Sequence, residues 1–169
     1  STNAAGAATF KYGAMRAAVR AMTVVLATGD VLDVTRGAVT THPDGWFDVV
    51  RTDGHTVRVP VPTYAMPNVP KCSAGLFAAQ AMDLIDLFVG SEGTLGVVTE
   101  VTLDLVPRPV ASVTCWLPVG DVARGLAITA ALRDAARATW TSGDADGLDV
   151  PAIESIDRRS IELLRADGK

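Results

Sequence analysis

The stretch FVGSEGTLGVVTEVTLDL, residues 88–105, constrains the fold of this chain more than any other part of it. Its glycines at 90, 93 and 96 have no Cβ, so the backbone there can take a positive φ and can be approached closely. From Val97 to Leu105 apolar residues dominate the odd positions and polar residues the even ones. This period of two predicts a β-strand with its odd face on a core. Taken alone, the glycine triplet also fits a structural loop or bulge between two strands.

The glycine spacing differs from the two familiar phosphate-binding motifs. It is neither the G-x-G-x-x-G of dinucleotide-binding folds nor the G-K-[ST] loop of nucleotide hydrolases. A strand follows Gly96, so no helix N-terminus is available for a pyrophosphate. If the loop binds a cofactor, it must do so through backbone groups packed against an extended ligand.

Composition excludes several classes of protein. The chain has 169 residues, 49% apolar and 20% charged, which is typical of a soluble globular protein of one domain or slightly more. Its net charge of −4 comes without a basic stripe, so we expect no nucleic-acid partner. No apolar run reaches the length of about 18 residues that a membrane helix needs, so we expect no membrane span. The N-terminus carries no secretory pattern, and we expect a cytoplasmic location.

The cysteines and histidines do not form a metal-binding pattern. Cys72 and Cys115 stand far apart, and His42 and His55 do not cluster with them, so we predict no metal site. We expect each cysteine to be a small buried residue in a reducing compartment, although the sequence leaves a disulfide between them open.

Turn residues and periodicity predict an α+β fold in two parts. Hairpins are predicted at 22–34 and 46–60, the second around the turn residues Asp53 and Gly54. Short helices are predicted at 13–20 and 75–84. Pro107 and Pro109 then mark a domain boundary, which divides the chain into residues 1–109 and 110–169.

The second part is predicted to open with a strand at 111–117 and to continue with two amphipathic helices. The apolar face of the first helix comprises Val122, Leu126, Ile128, Leu132 and Ala136, and that of the second comprises Ile153, Ile156, Ser160, Leu163 and Leu164.

Residues 88–105 closely resemble the G-S-E-G-T-L-G-[IV]-[IV]-T signature of the FAD-linked oxidases, the vanillyl-alcohol oxidase or PCMH-type flavoprotein family. Four further segments resemble that family in the same order: TNAAG with KYG at 2–13, the hairpin at 22–34, KCSAG at 71–75, and AIESIDR at 152–158. The likeness to the glycolate and D-lactate dehydrogenase branch is looser. Cys72 departs from the family pattern, which commonly has asparagine there.

The resemblance implies that two loops hold FAD non-covalently. The Asn3 amide can donate and accept hydrogen bonds, and the small residues after it leave bare backbone for the cofactor. Thr94 can add a hydroxyl, and we expect Gly96→Val to abolish flavin retention while the sheet stays folded. The implied cofactor-binding residues are Thr2, Asn3, Ala4, Ala5, Gly6, Glu92, Gly93, Thr94, Leu95, Gly96, Val97 and Val98.

The resemblance further implies that residues 1–109 are the second subdomain of a PCMH-type FAD-binding domain and that 110–169 begin an α+β cap domain. We expect a piece of a longer FAD-dependent oxidoreductase that oxidises a 2-hydroxy acid such as D-lactate or glycolate and passes electrons to an acceptor. The alternatives are an alkylglycerone-phosphate synthase-like flavoprotein and a non-catalytic flavin-binding subunit. No residue here is assigned as a catalytic acid, base or nucleophile, and we expect this chain alone to bind FAD poorly.

Overall fold

The computed structural model describes residues 2–73 and 75–168, which form helices and antiparallel sheets and confirm the α+β class. Among these residues no helix is both long and apolar enough to cross a membrane. In chain order the elements are α1 (Thr9–Tyr12), a 3₁₀ turn (Met15–Ala18), β1 (Val19–Val25), β2 (Val31–Thr35), β3 (Trp46–Val50), β4 (Thr56–Pro60), α2 (Ile85–Phe88), β5 (Val97–Leu103), α3 (Val122–Ser142) and α4 (Arg158–Ala166).

Both predicted hairpins are present. Strands β1 and β2 pair antiparallel, and β5 adds to the other edge of β1 to give the order β2-β1-β5. Strands β3 and β4 form a separate two-stranded sheet. Its turn is closed by the amide of Arg51, which donates to the carbonyl of His55 at 2.9 Å, and Gly54 takes φ +82° within it. The turn therefore lies at Asp53 and Gly54, as the sequence predicts.

Strand β5 forms as predicted, but the prediction that its odd-numbered side chains face the core is wrong. Val97 is 64% exposed, whereas Val98 is half-buried and packs on the core. The register explains the difference, because Val98 pairs with Val24 and Glu100 with Thr23, which leaves Thr99 unpaired. Such a bulge reverses the side-chain alternation, and cross-strand partners share a face. The period of two therefore changes phase within the strand.

The predicted helix at 75–84 is also wrong. The helix here is the single turn α2, and its start at Ile85 follows a segment that pairs with other backbone. The amide of Thr41 donates to the carbonyl of Met82 at 2.9 Å, and the amide of Leu84 donates to that of Val39 at 2.8 Å. These bonds use the groups that a helix would need internally. At 13–20 the helix is likewise only the 3₁₀ turn, since β1 begins at Val19.

The chain divides into two compact units. The first comprises residues 2–6 and 13–110, and the second comprises residues 7–12 and 111–168. The first unit contains an apolar core to which β1, β2, β3 and the buried run 82–91 contribute. Its most buried large side chains are Val24, Phe47, Ile85 and Val89. Whether the two units correspond to the predicted family domains stays a prediction.

In the second unit α1 packs on α3. The rings of Phe10 and Trp140 lie 4.9 Å apart. Asp149 accepts hydrogen bonds from Lys11 Nζ at 2.5 Å and from Trp140 Nε1 at 2.8 Å. Helix α3 begins at an N-cap, Asp121, whose side chain accepts from the amide of Arg124, and it ends at a left-handed glycine.

Three predictions for the second unit are wrong. Residues 111–117 form no strand, since no described segment pairs with them and an isolated strand leaves its backbone groups unpaired. Val122 and Leu126 of the predicted helix face are exposed, whereas Ile128, Leu132 and Ala136 are half-buried or buried. Helix α4 begins only at Arg158, because Asp157 caps it there, so the predicted residues before it are not helical.

The cysteine expectation also needs correction. Cys115 is exposed and Cys72 is half-buried, and both are free thiols. The exposure of Cys115 follows from the missing strand at 111–117, which has no partner to cover either face.

The contacts of Asp149 predict a pH-dependent change in the second unit. The hydrogen bonds from Lys11 and then Trp140 lower the pKa of Asp149, and the hydrogen bond to Asp149 raises the pKa of Lys11. A lowered carboxyl pKa stabilises the fold above the unfolded value and loses this effect as the pH falls through the folded value. We therefore expect the contact to weaken below about pH 4.

The indole Nε1–H resonance of Trp140 in an NMR titration measures this change, and Trp140→Phe identifies the resonance. Asp149→Asn is the control, because it removes the titrating group. An indole resonance that shifts equally in both proteins, or in neither, would contradict the prediction.

Candidate functional site

Asn3, in the first predicted cofactor loop, is the anchor of that loop. Its side chain is only 3% exposed and its backbone takes φ +49°. The side-chain oxygen accepts from the amide of Arg16 at 2.9 Å, and Nδ2 donates to the carbonyl of Cys72 at 3.4 Å. Both polar ends of the side chain are thus engaged within the protein. What the loop presents outward is the backbone of the exposed or half-buried residues 4–6.

The second predicted loop begins directly against Asn3. Gly90 takes φ +93°, and a Cβ built on it would lie 3.4 Å from Asn3 Cβ and 3.6 Å from Arg16 Nη2. At the C-terminal end of the first loop, Lys71 Nζ donates to the carbonyl of Gly6 at 2.9 Å. The fold therefore brings together the segments at 2–6, 71–73 and 90–96 that the sequence singled out separately. Ala74 of the KCSAG segment lies outside the described residues.

An ion-pair cluster next to these loops consists of the buried Asp86 and two half-buried arginines, Arg16 and Arg36. Asp86 Oδ1 is 3.3 Å from Arg16 Nη1 and 3.1 Å from Arg36 Nη2. The Arg16 guanidinium also rests on the ring of Phe77, 4.2 Å from its centroid. Burial lowers the pKa of Arg16 and the charge of Asp86 opposes that shift. Because an arginine pKa starts so high, the group stays charged at neutral pH.

The glycine loop itself leaves hydrogen-bond donors unused. Thr94 donates to the carbonyl of Ser91 through its amide at 3.0 Å and through its hydroxyl at 2.6 Å, so its hydroxyl proton is already engaged and only its lone pairs remain for a ligand. The amides of Glu92, Gly93 and Leu95 donate to no acceptor in the described chain. Successive free amides in a loop of this kind form a concavity that binds anionic or carbonyl oxygens.

The backbone is unusual at one residue in each loop. Among the described residues, Asn3 and Glu92 are the non-glycine residues with positive φ, at +49° and +51°. Glutamate adopts this conformation less readily than asparagine or glycine. Such strain persists where the surroundings impose it, and it is concentrated at binding sites. Its occurrence in both loops supports a shared role for them.

Gly96 has a structural role that the sequence did not show. A Cβ at this position would lie 2.7 Å from Val24 Cγ1 and 2.8 Å from the carbonyl oxygen of Val25. The glycine therefore lets β5 start close against the end of β1. The expectation that Gly96→Val removes flavin without disturbing the sheet is thus corrected, since the larger side chain meets β1 directly.

The other predicted cofactor residues differ in exposure. Leu95, Gly96 and Val98 are half-buried against the core side of the loop. The positions open to solvent are Thr2, Ala4, Gly6, Glu92, Gly93, Thr94 and Val97.

Sequence reasoning missed Arg16, Asp86 and Ser91. A signal existed for Asp86, which is the one acid within the apolar run 84–89, a pattern typical of a buried and paired charge. Ser91 is buried, and its hydroxyl has no hydrogen-bond partner among the described residues. In the part of the chain that the structure describes, no group of three histidine, cysteine or acidic side chains is arranged to hold a metal ion.

Comparison with known proteins supplies the family. A D-lactate dehydrogenase of Anaerostipes hadrus is 34% identical over 117 residues, 69% of this chain and 17% of the relative. The glycolate oxidase subunit GlcD of Bacillus subtilis is 36% identical over 107 residues, 63% of this chain and 15% of the relative. The mitochondrial D-lactate dehydrogenase [cytochrome] of Arabidopsis thaliana is 31% identical over 172 aligned positions, 99% of this chain and 21% of the relative.

These relatives are proteins of the FAD-linked oxidase family, and the chain is homologous to them over 63–99% of its own length. No family model matches it. The predicted resemblance to this family is thereby confirmed, and the relatives are oxidoreductases. The chain spans between 15% and 21% of the length of these relatives.

The packing around Gly96 predicts a contrast between two glycines. Gly96→Ala should destabilise the protein by about 1–3 kcal/mol, because the added methyl meets the β1 backbone, which cannot move aside. Gly6→Ala is the matched control, since Gly6 takes no positive φ and has open space around the Cβ position. Urea unfolding measures both, and equal stability of the two variants would contradict the proposed role of Gly96.

Proposed function

We propose that this chain is part of an FAD-dependent dehydrogenase that oxidises a 2-hydroxy acid of the D-lactate or glycolate type. The observation that carries the proposal is the meeting of the two family-signature loops at Asn3 and Gly90. These loops are 87 residues apart in sequence, counting from 3 to 90, and the fold brings both family signatures to one place. The names of the relatives favour this activity over the alternatives.

The residues present fit a flavin nucleotide bound without a covalent link. The free amides of Glu92, Gly93 and Leu95 suit phosphate or ring carbonyl oxygens. The backbone at Ala4 to Gly6 offers a surface with little side chain, against which a flat or extended ligand can lie. Lys71 places a positive charge beside Gly6, which favours an anionic group there. The edge residues Val97 and Val98 are proposed to continue the contact along β5.

When bound, FAD supplies a ring that accepts the hydride from the hydroxyl-bearing carbon of the substrate. The role proposed for this chain is to bind and orient that ring. The loops do so with backbone groups whose positions are fixed by Asn3 and by the ion-pair cluster below them. The substrate and an electron acceptor are the proposed partners, and no described residue is assigned to proton transfer.

The same proposal assigns the two units to family domains. Residues 1–109 would be the second subdomain of a PCMH-type FAD-binding domain, and 110–169 the beginning of an α+β cap domain. One observation supports this assignment: apart from residues 7–12, which belong to the second unit, the division between the units falls directly after Val110.

Gly6→Val tests whether FAD lies against the first loop. We expect at least a tenfold weaker FAD affinity in the polypeptide that carries this chain, because the new side chain fills space that the cofactor occupies. The fold should be unaffected, since nothing lies within 4 Å of the Cβ position and φ is not positive. Flavin fluorescence during titration measures the affinity.

Gly120→Val is the matched control, because Gly120 is equally unconstrained and lies in the second unit. It should leave the affinity within about twofold. If Gly6→Val binds FAD as tightly as the control does, the proposed contact is wrong. If the unsubstituted polypeptide binds no FAD, the proposed function is wrong.

A further inference from the structure

Arg16 is in contact with both proposed cofactor loops. Its backbone amide donates to Asn3 Oδ1 at 2.9 Å in the first loop. Its guanidinium donates to the carbonyl of Val89 at 2.6 Å, directly before Gly90 of the second loop. The main chain and the side chain of one residue thus fix two segments that are remote in sequence.

The guanidinium is itself held in one orientation. Nη1 donates to the carbonyl and carboxylate of Asp86, and the planar group lies over Phe77. A guanidinium can make these contacts at once because its five donors lie in a rigid plane that also stacks on aromatic rings. A lysine ammonium at the same place keeps the charge but cannot reproduce this set. Arg16→Lys therefore tests geometry separately from charge.

Arg36 provides an internal comparison. It binds the same carboxylate, with Nη2 at 3.1 Å from Asp86 Oδ1, and its side chain is 23% exposed against 17% for Arg16. Apart from its bonds to Asp86, its guanidinium donates to the carbonyls of Val19 at 2.8 Å and Arg16 at 2.9 Å. Arg36 thus shares the ion pair and the burial of Arg16 but contacts neither loop.

We propose that Arg16 is a positioning residue that couples the 2–6 and 90–96 loops, so that FAD affinity depends on it more than on its partner Arg36. The dependence on FAD rests on the proposed function, whereas the coupling of the loops does not. Four backbone amides, two that donate to the first loop and two within the second, report the coupling directly. Met15 and Arg16 donate to Ala4 and Asn3, and Ser91 and Thr94 donate within 88–94.

The experiment compares Arg16→Lys with Arg36→Lys in the polypeptide that carries this chain. Three quantities are measured: the thermal midpoint, the FAD dissociation constant by flavin fluorescence, and hydrogen exchange of the four amides without FAD. Arg16→Lys should weaken FAD binding roughly tenfold, as expected for lost hydrogen bonds to a charged group. It should also speed exchange of both amide pairs together.

Arg36→Lys should lower the thermal midpoint similarly but change the FAD affinity less than about twofold. Equal losses of affinity in the two variants, or faster exchange in only one loop, would overturn the coupling. If the unsubstituted protein binds no FAD, the proposed function fails while the exchange data still decide the coupling. Should Arg16→Lys not fold, Phe77→Leu removes the ring under the guanidinium, and it must then speed exchange in both loops.

Discussion

The buried carboxylate of Asp86 is the group on which the first unit depends. A carboxylate that is removed from water requires compensating charges and hydrogen bonds, and two arginines supply them here. Removing the carboxylate would leave two arginine charges without their counter-ion, and breaking a buried ion pair in this way typically costs about 3–5 kcal/mol. The same two arginines also donate to main-chain carbonyls. Arg16 bonds the carbonyl of Val89 in the run 82–91, and Arg36 bonds those of Val19 in β1 and Arg16 in the 3₁₀ turn, so these three segments are held together around the carboxylate.

The backbone positions of the two proposed cofactor loops are held by Arg16, which belongs to this ion-pair cluster. Half of their twelve residues are glycine or alanine, and Asn3 and Thr94 use their polar groups to hold the backbone. The backbone amides are left as the free donors of the glycine loop. A surface made of backbone can approach a ligand more closely than one made of side chains, and its groups are positioned before binding. This is the physical basis for reading the loops as one binding surface.

Local signals predicted some elements well and failed at others. The Asp53–Gly54 turn and the alternation of β5 are properties of neighbouring residues, so the sequence predicted both. The helix at 75–84 failed because the backbone of 82–84 pairs with 39–41, a contact remote in sequence. The odd face of β5 failed because a bulge at Thr99 reverses the alternation, and the strand at 111–117 failed for lack of a described partner.

The sequence by itself determined the resemblance to the FAD-linked oxidases, the two hairpins, and the two loops whose glycines and small residues leave the backbone bare. Those features are local, since they depend on which residues lack a side chain or favour a turn. Only the tertiary structure decided that Asn3 faces inward, that Gly96 accommodates β1, and that Arg16 joins both loops over Asp86. Those features depend on hydrogen bonds and close contacts between residues up to 87 positions apart, which no local pattern encodes.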